Sequence, residues 1–259
     1  NLAEATEAAA LVHLTGDSRF LFYCNGELVA RGPAKGDIDH HFYDTLDLSS
    51  HLRSGQNVLA ALVLDMSKVA HRPTDLGAPC SVMTYAGGFL LEGEIRTASG
   101  EQVLDTGKAE WRVAVDRDYR FQNDGTRFEG YHGYFEDRHD SVDADLWLSE
   151  PAEGSEWLPA KTLYLAERLE NRRDPTSPYG LVPRIIPQLP EGDPAGFASG
   201  FLPGGAELPA DQQGILTASS SIRIEAGAQA EFILDAGELT SGYPAIEASG
   251  GRGSMIRLT

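Results

Sequence analysis

Short apolar runs separated by turn residues dominate the chain. Phe20-Leu21-Phe22-Tyr23-Cys24 leads into Asn25-Gly26 and then Glu27-Leu28-Val29-Ala30. Asn-Gly between two apolar runs predicts a β-hairpin, because both residues accept positive φ. Val58 to Leu64 is a continuous apolar run, which predicts a strand buried on both faces. Phe89 to Ile95 follows Gly87-Gly88 and predicts another strand, and Ser99-Gly100 predicts a turn into Val103-Leu104. Trp111 to Val115 alternates apolar and polar, as a half-buried strand does. Ile222-Arg223-Ile224 and Phe232-Ile233-Leu234 extend the theme, and Ser254 to Thr259 reads as an apolar strand. Helical signals are few. Leu2 to Ala10 is rich in Ala and Glu. Leu163 to Arg172 carries helix formers, but Leu163, Leu165 and Leu169 fit period two as well.

Short strands at roughly 8–12 residue spacing predict an all-β sandwich or barrel. No repeat at solenoid or propeller periods is present. From Asp174 to Pro209 the chain carries Pro175, Pro178, Pro183, Pro187, Pro190, Pro194, Pro203 and Pro209. Proline fixes φ and removes a ladder donor, so this stretch is expected to be an extended connector and not central strand. Leu181, Val182, Ile185 and Ile186 are its candidate apolar anchors. The expected organisation is a β-sandwich over 1–175, a Pro-rich connector over 176–209, and the start of a second β-sandwich over 210–259. The last part is about half the ~100 residues a sandwich takes. Together with an end on an apolar strand, this predicts that the natural chain continues beyond Thr259. The alternative is a final strand that simply completes a sheet.

Composition narrows the partners. The 259 residues include 39 acidic and 21 basic side chains, a formal charge of −18. An apolar fraction of 41% and a charged fraction of 23% exclude intrinsic disorder as the main state. No run approaches the ~20 apolar residues of a membrane span. The negative charge opposes binding to a phosphate backbone. The expected partners therefore include no nucleic acid and no membrane. Cys24 and Cys80 are too few for a disulfide framework or a four-thiolate metal site. One bridge and two free thiols both fit, and no signal peptide is visible. The compartment stays open between the cytoplasm and a periplasmic or secreted location after signal cleavage.

Candidate chemistry is sparse. Glu136, Asp137, Asp140, Asp143 and Asp145 cluster within ten positions. They fit a catalytic or calcium-binding loop, or a solvated acidic loop. Asp143-x-Asp145 lacks the Gly and distal Glu of an EF-hand, so structural calcium is the one cofactor left open and none is otherwise expected. The histidines His13, His40, His41, His51, His71, His132 and His139 show no zinc spacing. Asp39-His40-His41 fits a metal corner or a surface loop. No Gly-x-Ser-x-Gly elbow is present. Gly250-Gly251-Arg252-Gly253 lacks the Lys-Ser/Thr of a P-loop and predicts a tight β-turn between strands. Phe128 to Glu136 is the most aromatic segment. Sugars lay their apolar faces on aromatic rings, which makes Tyr131, His132 and Tyr134, with nearby Asp137, the candidate carbohydrate-binding residues. The same rings also fit packing under a loop or against another domain. Trp111, Trp147 and Trp157 read as core or interdomain anchors. No catalytic residue and no metal ligand set is identified.

Several segments together resemble one family. Arg19 to Pro33, with its strand, Asn-Gly turn and Gly-Pro step, is followed by Phe42 to Leu48. Leu52-Arg53-Ser54-Gly55-Gln56-Asn57 then supplies a "Leu, basic, Gly, x, Asn" turn. Gly133 to Arg138, Glu156 to Ala160, Leu181 to Pro187 and Gly242 to Thr259 add further steps in collinear order. The set resembles the N-terminal β-sandwich region of bacterial α-L-rhamnosidases, a family of glycoside hydrolases. In Gly133 to Arg138 the order is compressed and no Ala intervenes. The resemblance implies a galactose-binding-like jelly roll followed by a second sandwich. It also implies a parent enzyme that hydrolyses terminal α-L-rhamnosyl or similar glycosides by inversion. The parent's catalytic glutamates would sit in a downstream (α/α)6 barrel, and none maps onto this sequence. On that footing the chain alone is expected to be inactive. Its partners are the catalytic barrel and, through the parent, a rhamnose-containing glycoside. An autonomous carbohydrate-binding module and a structural β-sandwich protein are the alternatives.

Overall fold

The computed structural model describes residues 2, 9–67, 85–121, 136–138, 145–150, 154, 156–173, 176–188, 192, 195–240, 242 and 244–258. The chain forms two compact units, Asn1–Pro187 and Gln188–Thr259. In chain order the strands of the first are β1 (Leu11–Asp17), β2 (Arg19–Cys24), β3 (Glu27–Gly32), β4 (His41–Asp47), β5 (Leu59–Leu64), β6 (Gly88–Thr97) and β7 (Gly100–Val103). They continue as β8 (Arg112–Val113), β9 (Tyr119–Phe121), β10 (Glu136–Arg138), β11 (Leu158–Pro159), β12 (Glu167–Arg168) and β13 (Gly180–Pro183). Among the described residues helix is confined to short turns, so the protein is all-β.

Two sheets enclose the core. One has six strands in the order β12-β13-β4-β1-β6-β7, and the other has three, β3-β2-β5. Val12 and Leu14 of β1 and Leu91 and Ile95 of β6 meet Phe20, Phe22 and Cys24 of β2 between them. All are buried. Each such Val, Leu, Ile or Phe contributes about 1.5–3 kcal/mol by leaving water. This burial makes the pair of sheets a sandwich. The Phe89 ring stacks on Phe22 at 6.0 Å and meets Phe20 edge-on at 5.7 Å. The Trp111 indole lies 6.2 Å from Phe89, and its Nε1–H donates to the Leu104 carbonyl at 2.8 Å. Trp111 is thus a core anchor. Trp147 and Trp157 lie 6.0 Å apart and are both half-buried.

The Asn-Gly hairpin forms as expected. Asn25 and Gly26 have φ of 54° and 85°, the left-handed pair of a type I′ turn. Asn25 does more than turn. Its Nδ2 donates to the His51 carbonyl at 3.0 Å and to Asn57 Oδ1 at 2.9 Å, while its Oδ1 accepts from the Val58 N–H at 3.0 Å. Asn57 in turn closes its own loop, accepting from the Arg53 N–H and donating to the Arg53 carbonyl. The two turn motifs of the sequence are therefore one hydrogen-bonded corner. Gly32 at the end of β3 is held to Gly by packing, since a Cβ there would sit 2.7 Å from the Phe20 ring.

Several strands differ from expectation. The turn into β7 is Ala98-Ser99, one residue earlier than predicted, with Thr97 opposite Gly100. The Val58–Leu64 run gives β5, whose residues are mostly half-buried. The alternation over Trp111–Val115 yields only the two-residue β8, paired with β11, and Val115 is 77% exposed. No strand forms over Leu163–Leu165, where Leu163 and Leu165 are exposed. Glu167–Arg168 is strand and Leu169–Asn171 a single 3-10 turn. Leu2 and Ala9 make β-bridges to Gly55 and Arg96, and residues 3–8 of the expected helix lie outside the described set.

The Pro-rich stretch contains a strand after all. β13 lies between β12 and β4 and is parallel to both. Pro183 is tolerated because of which donors face β4. The Gly180 and Arg184 N–H groups reach the Ile38 and Tyr43 carbonyls, both at 2.9 Å. Donors alternate along a strand, so the Pro183 nitrogen faces away from β4, beyond the end of two-residue β12. Leu181 is buried as expected, but Ile185 and Ile186 are exposed and are not anchors. Arg184 is the anchor instead. Its guanidinium bonds Asp44 Oδ1 at 3.3 Å and the Ile186 and Pro187 carbonyls at 2.9 and 3.2 Å.

In the second unit β14 (Ser199–Phe201) pairs antiparallel with β15 (Ile233–Asp235). Leu208 is buried against Gly200, where a Cβ would come within 2.4 Å of it. The strands expected at Ile222–Ile224 and at Ser254–Thr259 do not form over the described residues, and Met255 is 82% exposed. Ile224, Ile256 and Leu258 there are exposed as well. Gly250–Gly253 does make a turn, with the Ser254 N–H donating to the Gly251 carbonyl at 2.8 Å, but no strands flank it.

Candidate functional site

Of the sequence-predicted carbohydrate residues, Tyr131, His132 and Tyr134 lie outside the described residues. Asp137 lies in β10 opposite Arg120 of β9, and only its backbone is described. Most of the acidic 136–145 cluster also lies outside. Among the described residues no group of three His, Cys, Asp or Glu side chains is placed to hold a metal ion. At the Asp39-His40-His41 corner, His40 turns to Asp37, 3.1 Å away, while His41 is buried. The Cys24 thiol is free and buried. Burial, and secondarily Glu27, push it up to about 11, so it stays a thiol and no ready nucleophile. Cys80 lies outside the described residues.

The structure instead gathers chemistry on the outer face of the six-stranded sheet. Alternation along β1 sends Val12 and Leu14 inward and His13, Thr15 and Asp17 outward. The antiparallel register sets His13 opposite Thr45 of β4, which places Thr45, Tyr43 and His41 on the same outer face. His13 Nδ1 lies 2.8 Å from Thr45 Oγ1, and its ring meets Tyr43 edge-on at 5.6 Å. Thr15 Oγ1–H donates to the Phe42 carbonyl at 2.7 Å, so its oxygen accepts from His41 Nε2 at 3.1 Å. Burial lowers the His41 pKa, and the Asp17 charge opposes this only in part. His41 is therefore neutral near pH 7.

Asp17 is the centre of this face, only 3% exposed. Its Oδ2 accepts from the Tyr179 hydroxyl at 2.5 Å and from the Tyr85 and Ala86 N–H groups at 2.7 and 3.1 Å. A buried carboxylate needs such donors to stay charged. Burial and then the Asp17 carboxylate push the Tyr179 phenol well above its ordinary range. The Tyr179 ring also lies 4.8 Å from that of His41, tilted by 48°, and meets Tyr85 at 6.3 Å, and Tyr85 meets Tyr164 edge-on at 5.7 Å. Tyr85 and Tyr164 are 47% and 42% exposed. The result is an aromatic row with a wet end.

Beside the row lies a groove of about 300 Å³ along β12, β13 and β4. Tyr43, Leu181, Val182 and Pro183 line one part, and Arg168, Leu169 and Glu170 the other. The Arg168 guanidinium sits over the Tyr43 ring at 5.9 Å, a cation–π contact. Sequence patterning missed Tyr85, Tyr164, Arg168 and Tyr179. Each is ordinary in its local context; Arg168 arrives through the β12-β13-β4 pairing, whereas Tyr85, Tyr164 and Tyr179 come from loops that meet beside Asp17.

The fold has a solved counterpart. The crystal structure of a GH78 family rhamnosidase from Bacillus sp. GL1 is similar to this chain, with 27% identity and a TM-score of 0.51. The fold is GH78-like. The likeness covers 76% of this chain and 19% of that one, so the chain spans about a fifth of that enzyme's length. No family model matches the chain. No curated protein matches it. Among the described residues no helix is long and apolar enough to cross a membrane.

Proposed function

We propose that this chain is the non-catalytic β-sandwich region of an α-L-rhamnosidase-like glycosidase. The supporting observation is the likeness to a GH78 rhamnosidase, which extends over most of this chain but a small part of that enzyme. The parent enzyme hydrolyses terminal α-L-rhamnosyl or similar glycosides by inversion, with its acid and base in a separate barrel. The chain packs on that barrel and contacts sugar. The geometry is in keeping with a supporting role. Asp17 and Asp44, buried carboxylates, are held by Tyr179 and Arg184 and serve the fold, whereas glycoside hydrolysis needs two carboxyl groups flanking an open bond. The aromatic row and its groove favour sugar contact by the chain itself, as an autonomous binding module would also make.

A direct assay tests this. The isolated chain is expected to release no nitrophenol from 4-nitrophenyl α-L-rhamnoside, whereas the full-length natural protein releases it. Efficient hydrolysis by the isolated chain would overturn the non-catalytic assignment. The intact mass of the natural protein is a second check. A mass several-fold above 28.0 kDa is expected, and one near that value would leave the binding module as the better reading.

A further inference from the structure

We infer that Tyr85 and Tyr164 form an oxidative cross-linking site, at which a one-electron oxidant joins the two phenols into a dityrosine staple. Within the aromatic row two tyrosine pairs are in contact, Tyr85 with Tyr164 and Tyr85 with Tyr179. They differ in access. Tyr85 and Tyr164 are both exposed, so an oxidant can reach either ring. The Tyr179 hydroxyl is committed to buried Asp17, and its ring lies against His41.

The contact is also made where the bond must form. Dityrosine is joined through the ring carbons next to the hydroxyl groups. The Tyr164 phenol is held above its ordinary range, by burial first and then by the charge and hydrogen bonding of Tyr85. That effect needs the two hydroxyl ends close together. The backbone keeps the rings in place. The Tyr85 and Ala86 N–H groups are fixed on Asp17. A Cβ on Gly88 would lie 3.6 Å from Leu163 Cδ1, so the start of β6 packs on the segment that carries Tyr164.

The atoms and electrons balance. Each phenol gives one electron to the oxidant and its hydroxyl proton to water. The two phenoxyl radicals combine in one C–C bond. The hydrogens on the bonded carbons then move to the oxygens, which restores both phenols. The protein loses two hydrogen atoms, and two equivalents of oxidant are each reduced by one electron. The new bond ties two distant segments together beside Asp17. Closing a long loop in this way removes freedom from the unfolded chain.

The test uses the whole chain at low concentration, with ruthenium tris(bipyridyl), persulfate and light as the oxidant. The expected product runs as a single chain on a denaturing gel, is lighter by two hydrogen atoms and shows dityrosine fluorescence. Digestion should place Tyr85 and Tyr164 in one cross-linked peptide, and the product's Tm should rise. Tyr85→Phe and Tyr164→Phe should each lose the link within the chain, whereas Tyr23→Phe should keep it. Both rings of the pair are exposed, so either variant folds. Urea, which separates the two segments, should abolish the link. Oxidation of exposed Met255 adds oxygen and is told apart by mass. A link that survives in Tyr164→Phe, maps to other tyrosines or forms only between chains would overturn the site. An unchanged Tm would overturn its role as a staple.

Discussion

The six-stranded sheet buries side chains on both faces, with opposite chemistry. On the inner face Val12, Leu14, Leu91 and Ile95 meet the phenylalanines of β2, and apolar side chains exclude water. On the outer face Thr15, Asp17 and His41 are also buried, yet each is polar and each hydrogen-bonds a partner, Asp17 through its Oδ2. Burial alone therefore does not report what a face is for. The inner face needs only shape and volume. The outer face needs named partners, because a buried polar group without one costs more than the bond returns.

The contrast can be broken from either side. The largest effect is expected at Phe22→Ala, which opens a cavity between the sheets and should cost about 3–5 kcal/mol, read by urea unfolding. A value under 1 kcal/mol would place the core elsewhere. On the outer face Tyr179→Phe keeps the ring on His41 but removes a donor from buried Asp17. It should cost about 1–3 kcal/mol, and Asp17→Asn in the same background should recover part of it by removing the charge. A smaller effect is electrostatic. Folded His41 holds its proton less tightly than an unfolded histidine, so the unfolded chain binds more protons as pH falls. The His41 contribution is full above about pH 6.5 and declines below it. His41→Gln should flatten that part of the Tm profile, and an unchanged profile would show that His41 does not titrate there. The smallest effect is expected at Val115→Thr, within about 0.5 kcal/mol, because that apolar residue faces solvent.

What the sequence disclosed follows the same division. The Asn25-Gly26 hairpin and the strands through Phe22 and Leu91 were legible because turn chemistry and alternation are local. The sequence alone predicts β8 too long, because Trp111 is held by the core but Val113 and Val115 face water. Pro183 hid β13, since a proline in a strand is forbidden only where its nitrogen faces a neighbour. The outer face was the least legible. Asp17 and Tyr179 are 162 positions apart, and nothing local marks either one as the other's partner. Aromatic density pointed to Tyr131, His132 and Tyr134, whereas the aromatic row among the described residues is assembled from Tyr85, Tyr164 and Tyr179, each from a different segment.

The late arrival of β13 bears on how the protein is made. Arg184 closes on Asp44 across 140 residues, so a growing chain displays β4 long before the strand that covers it is synthesised. Until then β4 is an open edge, able to pair with any passing strand. Synthesis rate and chaperone supply should therefore govern soluble yield more than final stability does. Any shortened version that ends before Pro183 leaves that edge open for good.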